Sequence, residues 1–407
     1  MALLRLLWRS KSNPAYRKRI PERLGFVSND SDLSIIWLHA VSVGETIAAR
    51  PLIESLLETY PDYRVLVTTT TPTGSEQVKT LFSNRVAHVY FPYDLPEIIY
   101  RFLQRIKPVM LIVMETEIWP NLFASCNKRD IPILILNARL SEKSAKGYAR
   151  FKGLIAETLA NVDAISVRSK ADATRFKSLG ASDQQLEVLG NIKYDVELNP
   201  QQLARSQQRQ QQWGVDRKVW VAASTHEGED EELIKVYKHL LKQFPNLILV
   251  LVPRHPERFD NVYAICKEYE AEGIRTLRHS QVDTYENQKF NIILGDTMGV
   301  MQSWFALADV VFVGGSLVPT GGHNPLEAIL FGVPVVSGEH MFNFEDMLDE
   351  LSDVGLLTIC KTTDELKNKI SSLLAKPNKQ VLSKNAKQIM QQHSGVTARM
   401  IKLIGEF

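Results

Sequence analysis

Short apolar runs alternate with longer amphipathic stretches along the whole chain. In the first half the apolar runs predict strands at Ile35–His39, Val65–Thr69, His88–Phe91, Val109–Met114, Ile133–Asn137 and Ala164–Val167. A second series predicts strands at Val219–Ala223, Leu247–Val252, Asn291–Leu294, Val310–Val313 and Val333–Val336. Helical patterns such as Leu95–Ile106 and Ala171–Leu179 separate the strands. This alternation is typical of parallel βαβ units, so the pattern predicts an α/β fold.

The two series suggest two domains, which is also the natural expectation for a chain of 407 residues. A polar, glutamine-rich stretch separates them and reads as an exposed helix or linker. The predicted organisation is a basic segment at 1–26, a Rossmann-like domain at 27–198, a linker at 199–215, a second Rossmann-like domain at 216–381, and a C-terminal helix at 382–407 that could cross back to the first domain.

Composition narrows the class of protein. The chain is 44% apolar and 23% charged, as in ordinary globular proteins. Its formal net charge of +2 gives no indication of nucleic-acid binding. The cysteines Cys126, Cys266 and Cys360 are far apart and form no CxxC pair, which favours a reduced compartment without structural zinc.

The charge is concentrated at the N-terminus. Residues 1–26 contain one acid, Glu22, and the bases Arg5, Arg9, Lys11, Arg17, Lys18, Arg19 and Arg23. The apolar run among them is shorter than the roughly 20 residues that span a bilayer, and it lacks a small-residue cleavage site. The segment therefore suits an anionic membrane surface. The alternative is a solvated basic terminus with a few core contacts.

The run from Gly314 to Ala328 carries the strongest chemical signal. Two glycine pairs follow a predicted strand and lead to Asn324 and Pro325, which favour a helix start. Such a helix would direct free N–H groups at a phosphate. Glu327, one turn further on, could accept the hydroxyl groups of a ribose. The run therefore predicts a nucleotide-sugar site.

Acidic candidates follow strands of the first half. Glu45 lies at a predicted helix start, where the charged form is favoured, so it could act as a general base. The alternative is that it only complements the helix dipole. Glu115 and Glu117 follow a very apolar strand, and a helix cap is the alternative there. Lys193, near the domain boundary, could face an anionic donor.

Basic and backbone candidates follow strands of the second half. Arg254 could hold a phosphate or a base edge, and the turn 295–299 could contact a nucleobase through its backbone. His226, His255 and His323 are interpreted as hydrogen-bonded structural residues. The sequence contains no DxD motif, which predicts metal-independent chemistry with basic groups stabilising a leaving phosphate.

Six motifs together resemble the Kdo transferases of lipopolysaccharide synthesis, glycosyltransferase family 30. They are HAVSVGE at 39–45, METEIWPN at 114–121, GNIKYD at 190–195, VPRHPERF at 252–259, GDTMG at 295–299 and GGHNPLEA at 321–328. The resemblance covers nearly the whole chain. It implies the GT-B fold, in which two Rossmann-like domains face each other across a cleft.

The resemblance also implies an activity. The enzyme would transfer 3-deoxy-D-manno-octulosonic acid (Kdo) from its co-substrate CMP-Kdo to the lipid A precursor, lipid IVA. Transfer would be inverting, without metal or cofactor, at the cytoplasmic face of the bacterial inner membrane. By motif, Glu45 matches the proton acceptor, while Glu115 and Lys193 match transition-state stabilisers. The CMP-site matches are Pro253, Arg254, Met298, Gly299, Val300, Asn324, Pro325, Leu326 and Glu327.

Two other functions stay open at this stage. One is a GT-B transferase with a UDP-sugar donor and a lipid acceptor, which competition by CMP against UDP would distinguish. The other is a non-catalytic nucleotide-binding protein docked on membranes. Convergence of Glu45, Glu115 and Lys193 on one site would argue against it, because binding alone needs no base.

Overall fold

The structure, a computed structural model, describes residues 14–29, 32–213, 217–282, 284–286, 288–376 and 378–407. Residues 1–13 of the predicted membrane segment lie outside the described residues. The chain divides into two units, Met1–Asp195 with His393–Phe407, and Val196–Gln392. Each unit contains one seven-stranded parallel sheet.

The sheet of the first unit has the strand order β3-β2-β1-β4-β5-β6-β7. Its strands are β1 Ser34–His39, β2 Tyr63–Thr69, β3 Ala87–Tyr90, β4 Pro108–Met114, β5 Ile133–Ala138, β6 Ala164–Val167 and β7 Leu186–Val188. The central strands are buried on both faces, which explains their continuous apolar sequences. The flanking helices are Ile20–Arg23, Val43–Ala48, Arg50–Thr59, Pro72–Phe82, Pro96–Ile106, Pro120–Asn127, Glu142–Ala149, Lys152–Leu159, Lys170–Leu179 and Val396–Ile404.

The sheet of the second unit has the strand order β10-β11-β9-β8-β12-β13-β14. Its strands are β8 Val219–Thr225, β9 Ile248–Pro253, β10 Thr276–Arg278, β11 Ile292–Leu294, β12 Val310–Val313, β13 Val335–Ser337 and β14 Leu357–Ile359. Its helices are Pro200–Trp213, Asp230–Leu241, Phe259–Glu268, Met301–Phe305, Leu326–Ile329, Glu345–Asp353, Thr363–Ala375 and Lys379–His393.

Strands β7, β10 and β14 were not predicted from the sequence. Each has three residues and lies at an edge of its sheet, where only one neighbour supplies hydrogen bonds. Some residues of these three strands are partly exposed, so the strands lack the continuous apolar run that identifies the central strands.

Both sheets reverse their strand order at one point. In the first unit the reversal falls between β1 and β4, and in the second unit it falls between β8 and β12. In open parallel sheets, ligands bind outside the carboxyl ends of the strands at such a switch point. Glu45 and Glu115 follow the two strands at the first reversal, and His226 and Gly314 follow those at the second.

The stretch at 199–215, predicted as an exposed helix or linker, contains a helix of the second unit, Pro200–Trp213. Two side chains of this polar helix, Arg209 and Trp213, contact Trp304. The Arg209 guanidinium lies 4.1 Å from the centre of the Trp304 ring, and the Trp213 ring stacks on Trp304 with centroids 6.0 Å apart. These aromatic contacts fix the helix to its own unit.

The C-terminal region, predicted as one helix from 382 to 407, forms two helices. They are separated at Gly395, whose positive φ of 77° ends the helical path. The second helix, Val396–Ile404, packs in the core of the first unit. Asp195 accepts hydrogen bonds from the backbone N–H groups of Gly395, Val396 and Thr397.

Part of the basic N-terminal segment is built into the first unit. Arg23 is buried, with its guanidinium 3.9 Å from the centre of the Tyr90 ring. Arg19 donates to the His88 carbonyl, whereas Arg17 and Lys18 are exposed. Among the residues described, no helix combines the length and apolar character needed to cross a bilayer.

Candidate active site

Glu45 lies in the first turn of the helix Val43–Ala48, directly after β1. Ser42 caps this helix and accepts a hydrogen bond from the Glu45 N–H. The Glu45 carboxylate in turn accepts from the Val41 N–H at 2.7 Å and from the Ser42 hydroxyl at 3.1 Å. The side chain is therefore held in place, and helix capping and a catalytic role are compatible here.

The charge state predicted for Glu45 is wrong for the free protein. Burial raises the pKa of Glu45 to about 8, and repulsion from Glu115 raises it further. The hydrogen bond from the Val41 N–H acts in the opposite direction. Desolvation and the like charge of Glu115 thus outweigh the stabilisation that the helix start gives to the charged form. A carboxyl with a pKa near 8 accepts a proton only in its ionised form, and the fraction of that form increases as the pH approaches 8.

Glu115 lies at the end of β4 in a left-handed conformation, with φ of 60°. Its carboxylate pairs with the buried Arg168 at 2.5 Å, and Arg168 also donates to the Asn137 carbonyl. Glu117, two residues further on, has its pKa raised to about 7 by burial and by Glu115. The structure therefore places two further carboxyl groups close enough to Glu45 to raise its pKa.

Lys193 lies in the short 3-10 helix Ile192–Tyr194, which Asn191 caps by accepting from the Lys193 N–H. The Ile192 N–H donates to the side-chain oxygen of Asn137, a buried residue at the end of β5 with φ of 57°. This bond brings the turn that carries Lys193 to the strand ends near Arg168.

The N–H groups of the glycine-rich turn after β12 are bound within the fold. The fully buried Glu229 accepts from the N–H groups of Gly315, Ser316 and Leu317 at 2.7 to 3.0 Å. Gly314 passes so close to β8 that a Cβ atom would lie 2.3 Å from the Ser224 carbonyl oxygen. The glycines thus serve close packing around an internal carboxylate.

The predicted helix start near Asn324 is confirmed locally, but the helix is short. Asn324 accepts a hydrogen bond from the Leu326 N–H, and the helix runs only over Leu326–Ile329. Pro325 and Leu326 are buried. A single turn sums few peptide dipoles, so the predicted dipole effect on a phosphate is weak.

Arg254 and Glu327 interact electrostatically. Burial raises the pKa of Glu327, and attraction from Arg254 opposes the rise. Arg254 follows β9, where its N–H donates to the Thr225 carbonyl at 3.0 Å. Pro253 ends the same strand. A guanidinium and a carboxyl are thus available for a phosphate and for ribose hydroxyls, respectively.

The turn 295–299 is held by the helix Pro200–Trp213. The Gln202 amide donates to the Gly299 carbonyl at 2.8 Å, and Gly299 has a positive φ of 76°. Met298 is 60% exposed, whereas Val300 is buried. Of these two side chains, that of Met298 is therefore the one available to a ligand.

The three histidines of the second unit form a cluster. The Nε2 atoms of His226 and His323 are 2.8 Å apart and the rings stack, while the His255 ring lies edge-on to His226. Burial lowers the pKa of His323 to about 3, helped by Arg254 and the other two histidines. The prediction of hydrogen-bonded histidines is confirmed for His226 and His323, although the sequence did not identify them as each other's partner.

Sequence reasoning also missed Arg168 and Glu229. Each follows a strand, which is a usable signal, but their partners Glu115 and Gly315 are 53 and 86 residues away in sequence. The described residues contain no group of three or more histidine, cysteine, aspartate or glutamate side chains placed to hold a metal ion.

Two family models identify this chain, with its two Rossmann-like units, as a glycosyltransferase. The family model described as 3-deoxy-D-manno-octulosonic-acid transferase matches residues 18–196, and that of glycosyl transferases group 1 matches residues 219–389. A Haemophilus influenzae 3-deoxy-D-manno-octulosonic acid transferase is 40% identical over 97% of this chain and 92% of its own length. A Bordetella pertussis protein of the same name is 34% identical over 91% and 87%. This chain therefore belongs to the Kdo transferase family.

Solved structures confirm the fold class. The UDP-GlcNAc 2-epimerase of Neisseria meningitidis, bound to UDP-GlcNAc, is similar with a TM-score of 0.61 and 14% identity, over 92% of this chain and all of that one. The Anabaena protein HepE in complex with UDP gives a TM-score of 0.57 and 17% identity with the same coverage. At these identities the likeness shows the GT-B architecture alone.

Proposed function

We propose that this enzyme transfers Kdo from CMP-Kdo to a hydroxyl group of the lipid A precursor, lipid IVA. The observation that carries the proposal is Glu45, held at the β1/β4 switch point with a raised pKa, in a chain 40% identical to a Kdo transferase. A base in that position distinguishes a transferase from a protein that only binds nucleotides.

In the proposed reaction the acceptor hydroxyl oxygen attacks the anomeric carbon of Kdo as the bond to the CMP phosphate breaks. Glu45 takes the hydroxyl proton, and CMP leaves with the bonding electron pair. Direct displacement inverts the anomeric centre. Positive charge develops on the sugar, and Glu115, fixed by Arg168, is positioned to stabilise it.

The second unit is proposed to bind the CMP part of the donor. Arg254 would contact the phosphate, Glu327 the ribose, and the turn around Met298 the base. Lys193 would offset negative charge on the departing phosphate or the Kdo carboxylate. Basic side chains would then replace the divalent ion that many transferases use, so transfer would be metal-independent and need no cofactor.

The first unit is proposed to work at the anionic cytoplasmic surface of the bacterial inner membrane. Arg17 and Lys18 support this because they are exposed next to residues that are anchored in the unit. Arg19 and Arg23 contribute less, since Arg19 is only partly exposed and Arg23 is buried.

The test is incubation with CMP-Kdo and tetra-acylated lipid A precursor, followed by mass spectrometry. We expect products heavier by one or more Kdo residues, inhibition by CMP rather than UDP, and full turnover after treatment with EDTA. Absence of a Kdo adduct from a folded enzyme would contradict the proposal. Loss of turnover in EDTA that a divalent ion restores would contradict metal independence alone.

A further inference from the structure

The β8/β12 switch point lacks the usual backbone cradle for a phosphate. Three consecutive N–H groups of the turn, from Gly315 to Leu317, donate to Glu229 instead. Since Glu229 is fully buried and also accepts from the His226 N–H, it is a permanent part of the fold. These three N–H groups are therefore not available to an anionic ligand at this switch point.

The side chains at this place are imidazoles from separate strand ends. His226 follows β8, His255 follows β9, and His323 follows the turn after β12. The Nε2 atoms of His226 and His323 face each other at 2.8 Å, with the rings stacked at 16° and centroids 5.1 Å apart. Two nitrogens at this distance share one hydrogen, so one is a donor and the other an acceptor.

The charges around the pair favour an anion. Arg254, Arg258 and His255 disfavour an additional proton on His226, together with its burial. The nearby acids are already engaged. Asp230 accepts from Arg258 and from the Thr225 hydroxyl, and Glu229 accepts from four N–H groups.

The two remaining acids belong to other partners. Glu257 lies 4.0 Å from His255, with a largely exposed side chain, and Glu327 interacts electrostatically with Arg254. The acids near the pair are thus matched to its cationic neighbours, and among the described residues no carboxylate forms an ion pair with His226 or His323. A phosphate beside the pair would supply the missing negative charge and would favour a second proton on it.

We propose that His226 and His323 bind the phosphate of the donor nucleotide, and that binding adds one proton from solvent to the pair. In the free protein the pair holds one shared hydrogen. With the phosphate bound, both rings donate to phosphate oxygens, and the proton returns to solvent when CMP leaves. This inference rests on the proposed function, and it assigns a role to two residues outside the motif matches for CMP.

The test is calorimetry with CMP and with cytidine, which lacks the phosphate, at pH 7 in two buffers of different ionisation enthalpy. Wild type should bind CMP more tightly than cytidine and take up protons with CMP alone. His323→Gln and His226→Gln should each reduce the preference for CMP by about tenfold or more, since charge-assisted hydrogen bonds are lost. Both should bind cytidine normally and lose the proton uptake.

His239→Gln is the matched control, because His239 is an exposed histidine of the same unit that bonds to the Lys235 carbonyl. It should behave as wild type. Wild type that binds CMP without proton uptake, or histidine variants that keep the full preference for CMP, would overturn this inference alone. Wild type that does not bind CMP would overturn the proposed function as well.

Discussion

The two units have the same sheet architecture, but opposite charges surround their switch points. At the first, Glu45 and Glu117 are carboxyls whose pKa values burial and Glu115 raise. At the second, His226 and His323 are imidazoles whose pKa values burial and neighbouring cations lower. In each cluster the charged form of the side chains is disfavoured. A bound species of opposite charge would therefore stabilise that form. The comparison shows how one architecture can provide both proton transfer and anion binding.

The two switch points also share a feature of the backbone. Glu115 and Asn137 in the first unit, and Ser224 in the second, have φ values of 57° to 60°, which are unfavourable for residues other than glycine. All three lie at or near the carboxyl end of a central strand. Such strain is retained where the surrounding structure fixes it, and it commonly accompanies function.

Among changes at the first switch point, replacing Glu45 should have the largest effect on turnover. Glu45→Gln keeps the shape of the side chain but removes the proton acceptor. Turnover with CMP-Kdo and lipid A precursor should fall by about 100- to 10,000-fold, with CMP affinity unchanged. Glu76→Gln, at an exposed acid of the same unit, is the control. Turnover within a fewfold of wild type would remove Glu45 from the role of base.

Among changes at the second switch point, replacing Glu229 should lower the stability of the protein most. In Glu229→Gln the amide nitrogen cannot accept, so about two of the four backbone N–H groups lose their partner. We expect the free energy of unfolding to fall by about 3 kcal/mol. Chemical denaturation measures this, with the exposed Glu231→Gln as the control. Equal stability of the two variants would show that the turn does not depend on Glu229.

Replacing Arg254 should weaken nucleotide binding without removing the base. Arg254→Ala should raise the Kd for CMP by about 10- to 100-fold, because a charge-assisted contact is lost. Glu327→Ala should weaken CMP through the ribose. Calorimetry measures both, with Arg275→Ala as an exposed control in the same unit. Unchanged CMP affinity in both variants would place the nucleotide elsewhere.

The pKa of Glu45 predicts an effect of pH on stability. Its pKa in the folded protein, about 8, is above the ordinary value of 4.5, so the folded state binds the proton more tightly. This contribution to stability is present at pH 4 and is lost as the pH rises to about 8. The Tm of Glu45→Gln should therefore match wild type near pH 5 and exceed it at pH 8. A Tm difference independent of pH would contradict the raised pKa.

The smallest expected effect concerns the membrane. Replacing Arg17 and Lys18 by Ser should weaken binding to anionic vesicles by about 1 kcal/mol for each charge, and binding should decrease as salt rises. Flotation measures this, with Lys367 and Lys369 of the second unit replaced by Ser as the control. Equal binding of both double variants would show that these two exposed bases do not contact lipid.

The sequence predicted the long central strands and the strand-end positions of the candidate residues. Such strands have a strong apolar pattern, and motifs such as that around Glu45 are contiguous. It could not predict β7, β10 and β14, because a three-residue edge strand carries too little pattern.

Long-range contacts explain the remaining misses. The raised pKa of Glu45 depends on burial and on Glu115, neither of which is visible locally. Likewise, the glycine turn appeared open because Glu229 is 86 residues away in sequence from Gly315. Sequence patterns locate a strand end, whereas the charge state there depends on which distant side chains the fold brings to it.

The central claim is that Glu45 is the proton acceptor of the acidic site. The most direct measurement is the single-turnover rate of Kdo transfer against pH, in wild type and in Glu45→Gln. The account predicts that the wild-type rate rises about tenfold per pH unit below pH 7, with a midpoint near the Glu45 pKa of about 8, and then levels off. The residual rate of Glu45→Gln should lack this rise. A wild-type rate independent of pH, or the same rise in Glu45→Gln, would contradict the claim.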